Sequence, residues 1–269
     1  MRHDGNVDLD QARRCRHDPD LLCQRRRHGS KPLAHGHRIR STKGHCVRPR
    51  GPIAIDGPAA SGKSTVARGL AHELSGCYIS TGEMYRAVTW LAQSASVAPD
   101  APSLGELLAR TCLALEIDQE QARLLINGSP PPQTALRTPQ VSEAVSHYAQ
   151  QSCVRDWLIH HQREASNQGL VIMEGRDIGT VVFPDAPYKF FITATPEERA
   201  RRRLAQSGEV STADLATVAA AIAERDRMDS QRALAPLRQA DDAVLVDTTT
   251  LSVPGVVLSL RQHIEEHAE

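Results

Sequence analysis

Nowhere does this 269-residue chain approach the roughly 18 consecutive apolar residues that a membrane-spanning helix needs, so no span is expected. The N-terminus also lacks the apolar centre of a secretory signal. Leu21 and Leu22 form its longest aliphatic run, and Arg25, Arg26 and Arg27 follow at once. Export is therefore not expected, and a cytoplasmic location is. Six cysteines are present, but Cys77, Cys112 and Cys153 stand at spacings that match no metal or redox motif. They read as packing residues. Aromatic residues are scarce at 3%, and none lies in the first fifty positions.

Net charge is zero, but only because two unlike segments cancel. Met1 to Arg50 hold 13 Lys+Arg against 5 Asp+Glu, which leaves 19 against 27 for the remainder. The same fifty residues carry six of the twelve histidines and three of the six cysteines. With so little to build a core, residues 1–50 read as a disordered basic extension. Cys15, His17, Cys23, His28, His35, His37, His45 and Cys46 offer soft ligands but lack the tight pairs of structural zinc sites. A basic arm can bind nucleic acid without sequence preference, yet single-strand binders add aromatic platforms that are missing here. Nucleic acid is therefore expected as a partner only by way of this tail, if at all. A dispensable extension, or an upstream stretch included by a misplaced start, are the alternatives.

After Arg50 the character changes. Pro52 to Asp56 reads as a short buried strand, and it runs into Gly57-Pro58-Ala59-Ala60-Ser61-Gly62-Lys63-Ser64, which fits G-x-x-x-x-G-K-[ST]. Val66, Leu70, Ala71 and Leu74 follow at helical spacing. Glycines let the backbone turn its N–H groups inward at a helix N-terminus, where the helix dipole also favours negative charge. Lys63 can reach the β- and γ-phosphates of a nucleoside triphosphate, and the Ser64 hydroxyl can ligate Mg²⁺. ATP and Mg²⁺ are the expected cofactors, and Gly57 to Ser64 with Thr65 form the expected donor site.

Strand-like apolar runs recur at 78–80, 170–174, 188–194 and 243–248. Helical segments are predicted at 83–93, 153–166, 196–206, 215–230 and 256–267. Thr195, Pro196 and Glu198 supply a cap, a first-turn proline and a capping-box glutamate for one of them. Alternating β and α units imply an α/β fold with a parallel sheet covered on both faces. Residues 101–150 break the alternation: 113–118 and 123–127 read as two short strands of a small inserted domain.

A phosphate loop is shared by motor ATPases, switch GTPases and kinases. The chain has no N-K-x-D, no D-x-x-G after a suitable strand, and no apolar strand ending in adjacent acidic residues. It does have arginines beyond the loop: Arg86, Arg137, Arg155, Arg176, Arg199, Arg202, Arg203, Arg225 and Arg232. Phosphoryl transfer needs two anionic substrates held in line and their charge neutralised, so such an abundance points to an acceptor that is itself a phosphate. Arg225, Asp229 and Arg232 fall at i, i+4 and i+7, on one helical face. Two rivals stay open at this level: another small P-loop kinase acting on UMP, AMP or a non-nucleotide, and a nucleotide-sensing protein whose basic tail grips nucleic acid.

The segments GPAASGKST (57–65), STGEMYRA (80–87), LRTPQVSEAVS (136–146), EGRDIGTVVFPDAP (174–187) and ERDRMDSQRALAPL (224–237) closely resemble bacterial-type cytidylate kinase. The resemblance runs from about Pro52 to the C-terminal helix, some 80% of the chain, and sets the expected domain at residues 51–269. It implies a P-loop nucleoside monophosphate kinase core with a five-stranded parallel sheet, an inserted acceptor-binding region near 101–150 and a short lid near 197–212. It also implies a cytoplasmic monomer that phosphorylates CMP and dCMP with ATP and Mg²⁺. Carried over residue by residue, Thr81 lies near the acceptor, Arg86 binds its phosphate, and Ser146 and Arg155 contact cytosine and phosphate. Arg176 and Asp177 match a phosphate clamp and base reader, Arg225 and Asp229 acceptor phosphate and sugar contacts, and Arg232 a phosphate-bridging arginine. Arg202 and Arg203 fall in the lid, the first toward ATP; Lys63, Arg176, Arg203 and Arg232 are the implied catalytic set. Glu174 stands where the family often has Asp, at a place where a carboxylate can hold metal-bound water.

Overall fold

The computed structural model describes residues 49–118, 121–206 and 214–268, so the expectations for the basic tail and for the tip of the lid region lie outside it. In chain order the elements are β1 (Ile53–Asp56), α1 (Lys63–Leu74), β2 (Cys77–Ser80), α2 (Thr81–Ser94), α3 (Ser103–Ala109), β3 (Leu113–Asp118), β4 (Gln121–Ile126), α4 (Pro139–Tyr148), α5 (Ser152–Ala165), β5 (Val171–Gly175), β6 (Tyr188–Thr193), α6 (Pro196–Gln206), α7 (Leu215–Gln231), β7 (Val244–Asp247) and α8 (Val253–Glu266). All strands anticipated from apolar runs form. Two helices were not anticipated, α3 and α4. In α4 the start is set by Thr138, whose side chain accepts the Val141 N–H, with Pro139 in the first turn. Ser252 caps α8 in the same way, which is why that helix begins three residues before the expected Val256.

One sheet has the order β3-β4-β2-β5-β1-β6-β7. The five expected parallel strands are its β2-β5-β1-β6-β7 portion. The count is seven rather than five because β3 and β4 form an antiparallel hairpin that joins the β2 edge by one bridge, Tyr78 to Gln121. Every residue of β1 and β5 is buried, as expected of strands covered on both faces. On one face Val66, Leu70, Phe190, Ile192, Val256 and Leu260 pack α1 and α8 on the sheet. On the other, Met84, Val88, Val145, Leu158 and Met173 join α2, α4 and α5. Cys77 is buried as a packing residue; Cys153, in contrast, is exposed on α5, because it lies off the buried face that carries Val154, Leu158 and Ala165.

This register brings the carboxyl ends of three strands side by side, the position where parallel sheets place ligands. Asp56 lies opposite Gly175, and Ser80 opposite Glu174. After β5 the chain makes a π-helical turn at Ile178–Val182. The buried Asp56 carboxylate takes the Ile178 and Gly179 N–H groups at 2.8 Å each. Arg163 caps the other end, donating to the Val181 and Val182 carbonyls. The segment bearing Arg176 and Asp177 is thereby fixed to the strand that leads into the glycine-rich loop.

Candidate active site

The loop from Gly57 to Gly62 connects β1 to the start of α1. Gly57 has φ +152°, and a Cβ there would lie 2.0 Å from the Ile192 carbonyl oxygen, so the first glycine is required by the neighbouring strand. Gly62 caps α1 at φ +92°, and Ala60 is held at φ +58°. First-turn N–H groups of a helix have no partner four residues back, and a helix start on a glycine-rich bend is the kind of place that takes an anion. Lys63 is buried and donates to the Pro58 carbonyl at 3.0 Å. The Ser61 hydroxyl is fully buried without a partner among the described residues, whereas Thr65 is exposed.

Facing this loop stands a group of guanidinium side chains contributed by different elements. Arg86 of α2 donates to the Leu136 carbonyl at 3.1 Å and to Ser142 Oγ at 2.8 Å. Arg176 follows β5 and pairs with Asp229 of α7 at 2.9 Å, and Asp229 lies 3.5 Å from the Ser146 hydroxyl of α4. Asp177 is buried between Arg155 of α5 and Arg232, the latter at 3.3 Å. Arg155 also lies over the Tyr85 ring, 5.8 Å from its centroid.

Electrostatically, these cations crowd one another. Burial pushes the Lys63 ammonium down to about 7, and Arg176 and Arg225 add to the effect against the pull of Glu174 and Asp226. Burial lowers Arg225 to about 10, with Arg176, Arg86 and Arg203 as neighbouring positive charges. Arg86 falls to about 10 for the same reasons, with Arg203, Arg137 and Arg176 nearby. Like charges gathered in a desolvated place favour an anion between them. Asp56, just before the loop, is raised by burial to about 7 against its two N–H bonds.

Glu174 is the second focus. Its Oε1 accepts from the hydroxyls of Ser64 at 3.0 Å, Ser80 at 2.7 Å and Tyr78 at 3.3 Å, while its backbone carbonyl takes the Thr81 hydroxyl at 2.9 Å. The hydrogen-bond partners of this carboxylate are hydroxyl oxygens, including that of the loop serine, the ligand type a hard divalent cation prefers. Ser64 and Glu174 fit Mg²⁺ on that ground.

Of the expected residues, Arg176, Asp229 and Ser146 are joined in one set of contacts with Arg225 and Arg86 beside them, Arg155, Asp177 and Arg232 form a second, and Thr81 bonds to Glu174. Arg203 lies close to Arg86 and Arg225. Arg202 differs: its guanidinium is committed to Glu198, the Ser61 carbonyl at 3.1 Å, and Thr248, so in this conformation it fastens the loop. Reading the sequence missed Tyr78, Ser80, Asp226 and Thr248. Asp226 stood in plain view inside ERDRMDSQR, but helical spacing picks out Arg225 and Asp229 and gives no sign of where the intervening carboxylate points.

Comparison with known proteins finds relatives of this chain. A family model described as cytidylate kinase matches residues 53–266. A cytidylate kinase of an Exiguobacterium species is 44% identical over 216 residues, covering 80% of this chain and 96% of that protein. One from a Geobacillus species is 43% identical with the same coverage. A bifunctional pantoate ligase/cytidylate kinase of Synechococcus elongatus is 49% identical over 211 residues, 76% of this chain, and this chain spans only 40% of that protein's length.

Proposed function

The chain belongs to the cytidylate kinase family, and on that premise we propose that it transfers the terminal phosphoryl group of ATP to CMP and dCMP. One observation supports this most directly: Arg176 and Arg225 bear on a desolvated Lys63 of the phosphate loop, and Arg86 and Arg203 stand beside Arg225, so the cations form one connected group. In this reading Gly57 to Thr65 hold the donor phosphates, with Arg202 bordering them. Lys63 lies against the β- and γ-phosphates. Arg86 and Arg225 grip the acceptor phosphate as bidentate forks. Arg176, Arg203 and Arg232 neutralise charge between the two nucleotides, and Asp229 holds the acceptor sugar. Thr81, Ser146 and Arg155 flank the acceptor.

Asp177 reads the base. A carboxylate accepts from the exocyclic amino group of cytosine but would face a carbonyl in uracil, leaving buried polar groups unpaired. No general base is required, because the acceptor phosphate oxygen is already ionised near neutral pH. Mg²⁺, when bound, neutralises β/γ-phosphate charge, and Ser64 and Glu174 are the residues that would hold it or its water. We assign residues 101–150 to the acceptor-binding region and 197–212 to a lid, in a cytoplasmic monomer that uses small molecules as its partners. Turnover of CMP, dCMP, UMP and AMP with ATP tests the assignment. CMP or dCMP is expected to lead, and a preference of about tenfold for either of the others would overturn it.

A further inference from the structure

Helix α7 sends neighbouring side chains to different places. Arg225 lies beside Arg176 and Arg86, and Asp229 pairs with Arg176, so both belong to the acceptor side. Asp226, one residue on and therefore turned by about 100°, reaches the phosphate loop instead. Its Oδ1 accepts the Ala59 N–H at 2.8 Å. Its Oδ2 is paired with Arg199 of α6, whose Nη1 donates to the Ala59 carbonyl at 3.1 Å. Donor and acceptor of a single loop residue are thus held by one ion pair spanning two helices.

The surroundings suit a fixed contact. The Arg199 and Asp226 side chains are only 10% and 16% exposed, and Ala59 packs with Ala200 and Ile222 against them. Ala60, next in line, occupies a left-handed conformation that a non-glycine residue keeps only where neighbouring structure imposes it.

We propose that Asp226 is a positioning residue for the donor nucleotide. Together with Arg199 it sets the Ala59–Ala60 bend of the phosphate loop, although it is carried on the helix that binds the acceptor. The proposal rests on the assignment of that loop to the donor.

The test measures binding on the full chain by calorimetry, with Mg²⁺ and a non-hydrolysable ATP analogue, and separately with CMP. Asp226→Asn keeps an acceptor for the Ala59 N–H but removes the charge facing Arg199; Asp226→Ala removes both. The analogue should bind about threefold more weakly to the first variant and about tenfold more weakly to the second, with CMP affinity unchanged within about twofold. Combining Asp226→Ala with Arg199→Met should add little to the larger single effect, since both act on one residue. A parallel fall in analogue and CMP affinity, or an unchanged analogue affinity in Asp226→Ala, would overturn the proposal. Should Asp226→Ala fail to fold by near-ultraviolet circular dichroism, Asp226→Asn and Arg199→Met carry the same comparison. Wild-type turnover measured alongside separates the two ideas: absence of CDP would sink the kinase assignment and leave the binding comparison standing.

Discussion

Lys63 supplies the sharpest pH prediction. In the ligand-free protein its ammonium is buried, faces Arg176 and Arg225, and titrates at about 7. A triphosphate placed against it returns it toward the ordinary range near 10.5, so binding must take up a proton wherever the free lysine is neutral. At pH 8 the uptake from this residue should be about 0.9 proton per bound nucleotide, at pH 7 about 0.5, and at pH 6 about 0.1. Above pH 7 the same linkage weakens the affinity by about tenfold per pH unit, or about 1.4 kcal/mol. The assay is calorimetry of a non-hydrolysable ATP analogue with Mg²⁺ at pH 8, in buffers of different ionisation enthalpy, for wild type and Lys63→Met. A proton uptake below about 0.2, or an equal uptake in Lys63→Met, would refute the reasoning. The sign for folding follows too. Between pH 7 and 10.5 the unfolded chain holds more protons at this residue than the folded one, so Lys63's contribution to stability rises with pH across that window. Asp56, raised to about 7 from an ordinary 3.8, works in the opposite sense, and its contribution falls as pH climbs from about 4 to 7.

Other substitutions probe other parts. Arg176→Ala should raise KM for CMP by about tenfold or more while KM for ATP moves little, because one charged hydrogen-bonding group is lost from the acceptor side; equal CMP kinetics would remove its role. Asp177→Asn should narrow the preference for CMP over UMP in kcat/KM by at least about tenfold, and an undiminished ratio would place base reading elsewhere. Gly57→Ala puts a methyl 2.0 Å from the Ile192 carbonyl, so the variant should lose nucleotide binding and melt at a lower temperature; wild-type melting would show that β6 can yield.

Much of this was legible before any coordinates. Apolar runs located the parallel strands because a strand covered on both faces has no room for polar alternation, and β1 and β5 are wholly buried. The G-x-x-x-x-G-K-S string was legible because its spacing is a local pattern and Gly62 answers to a left-handed backbone, although the contact that demands Gly57 comes from β6. Less accessible was anything decided across the fold. The attachment of β3 and β4 to the sheet depends on pairing between distant segments, and so does the choice of five or seven strands. The commitment of Arg202 to the Ser61 carbonyl, rather than to an open face, is settled by α6 packing behind the loop. Likewise, three hydroxyls converge on Glu174 from α1 and β2, a meeting that no spacing in one segment could announce.

The hairpin of β3 and β4 is laddered within itself over six residue pairs yet meets β2 at one. Its hold on the rest of the fold therefore comes mainly from side chains, with Leu113 in the main core and Ile126 packed with Ala87 and Leu136. Leu136, whose carbonyl takes the Arg86 guanidinium, packs on Ile126 of that hairpin, so the aim of Arg86 depends on apolar contacts rather than on the ladder. Truncating Ile126 to alanine should therefore loosen Arg86 while leaving the parallel strands in place, read as faster amide exchange around Leu136 than in β1 and β5.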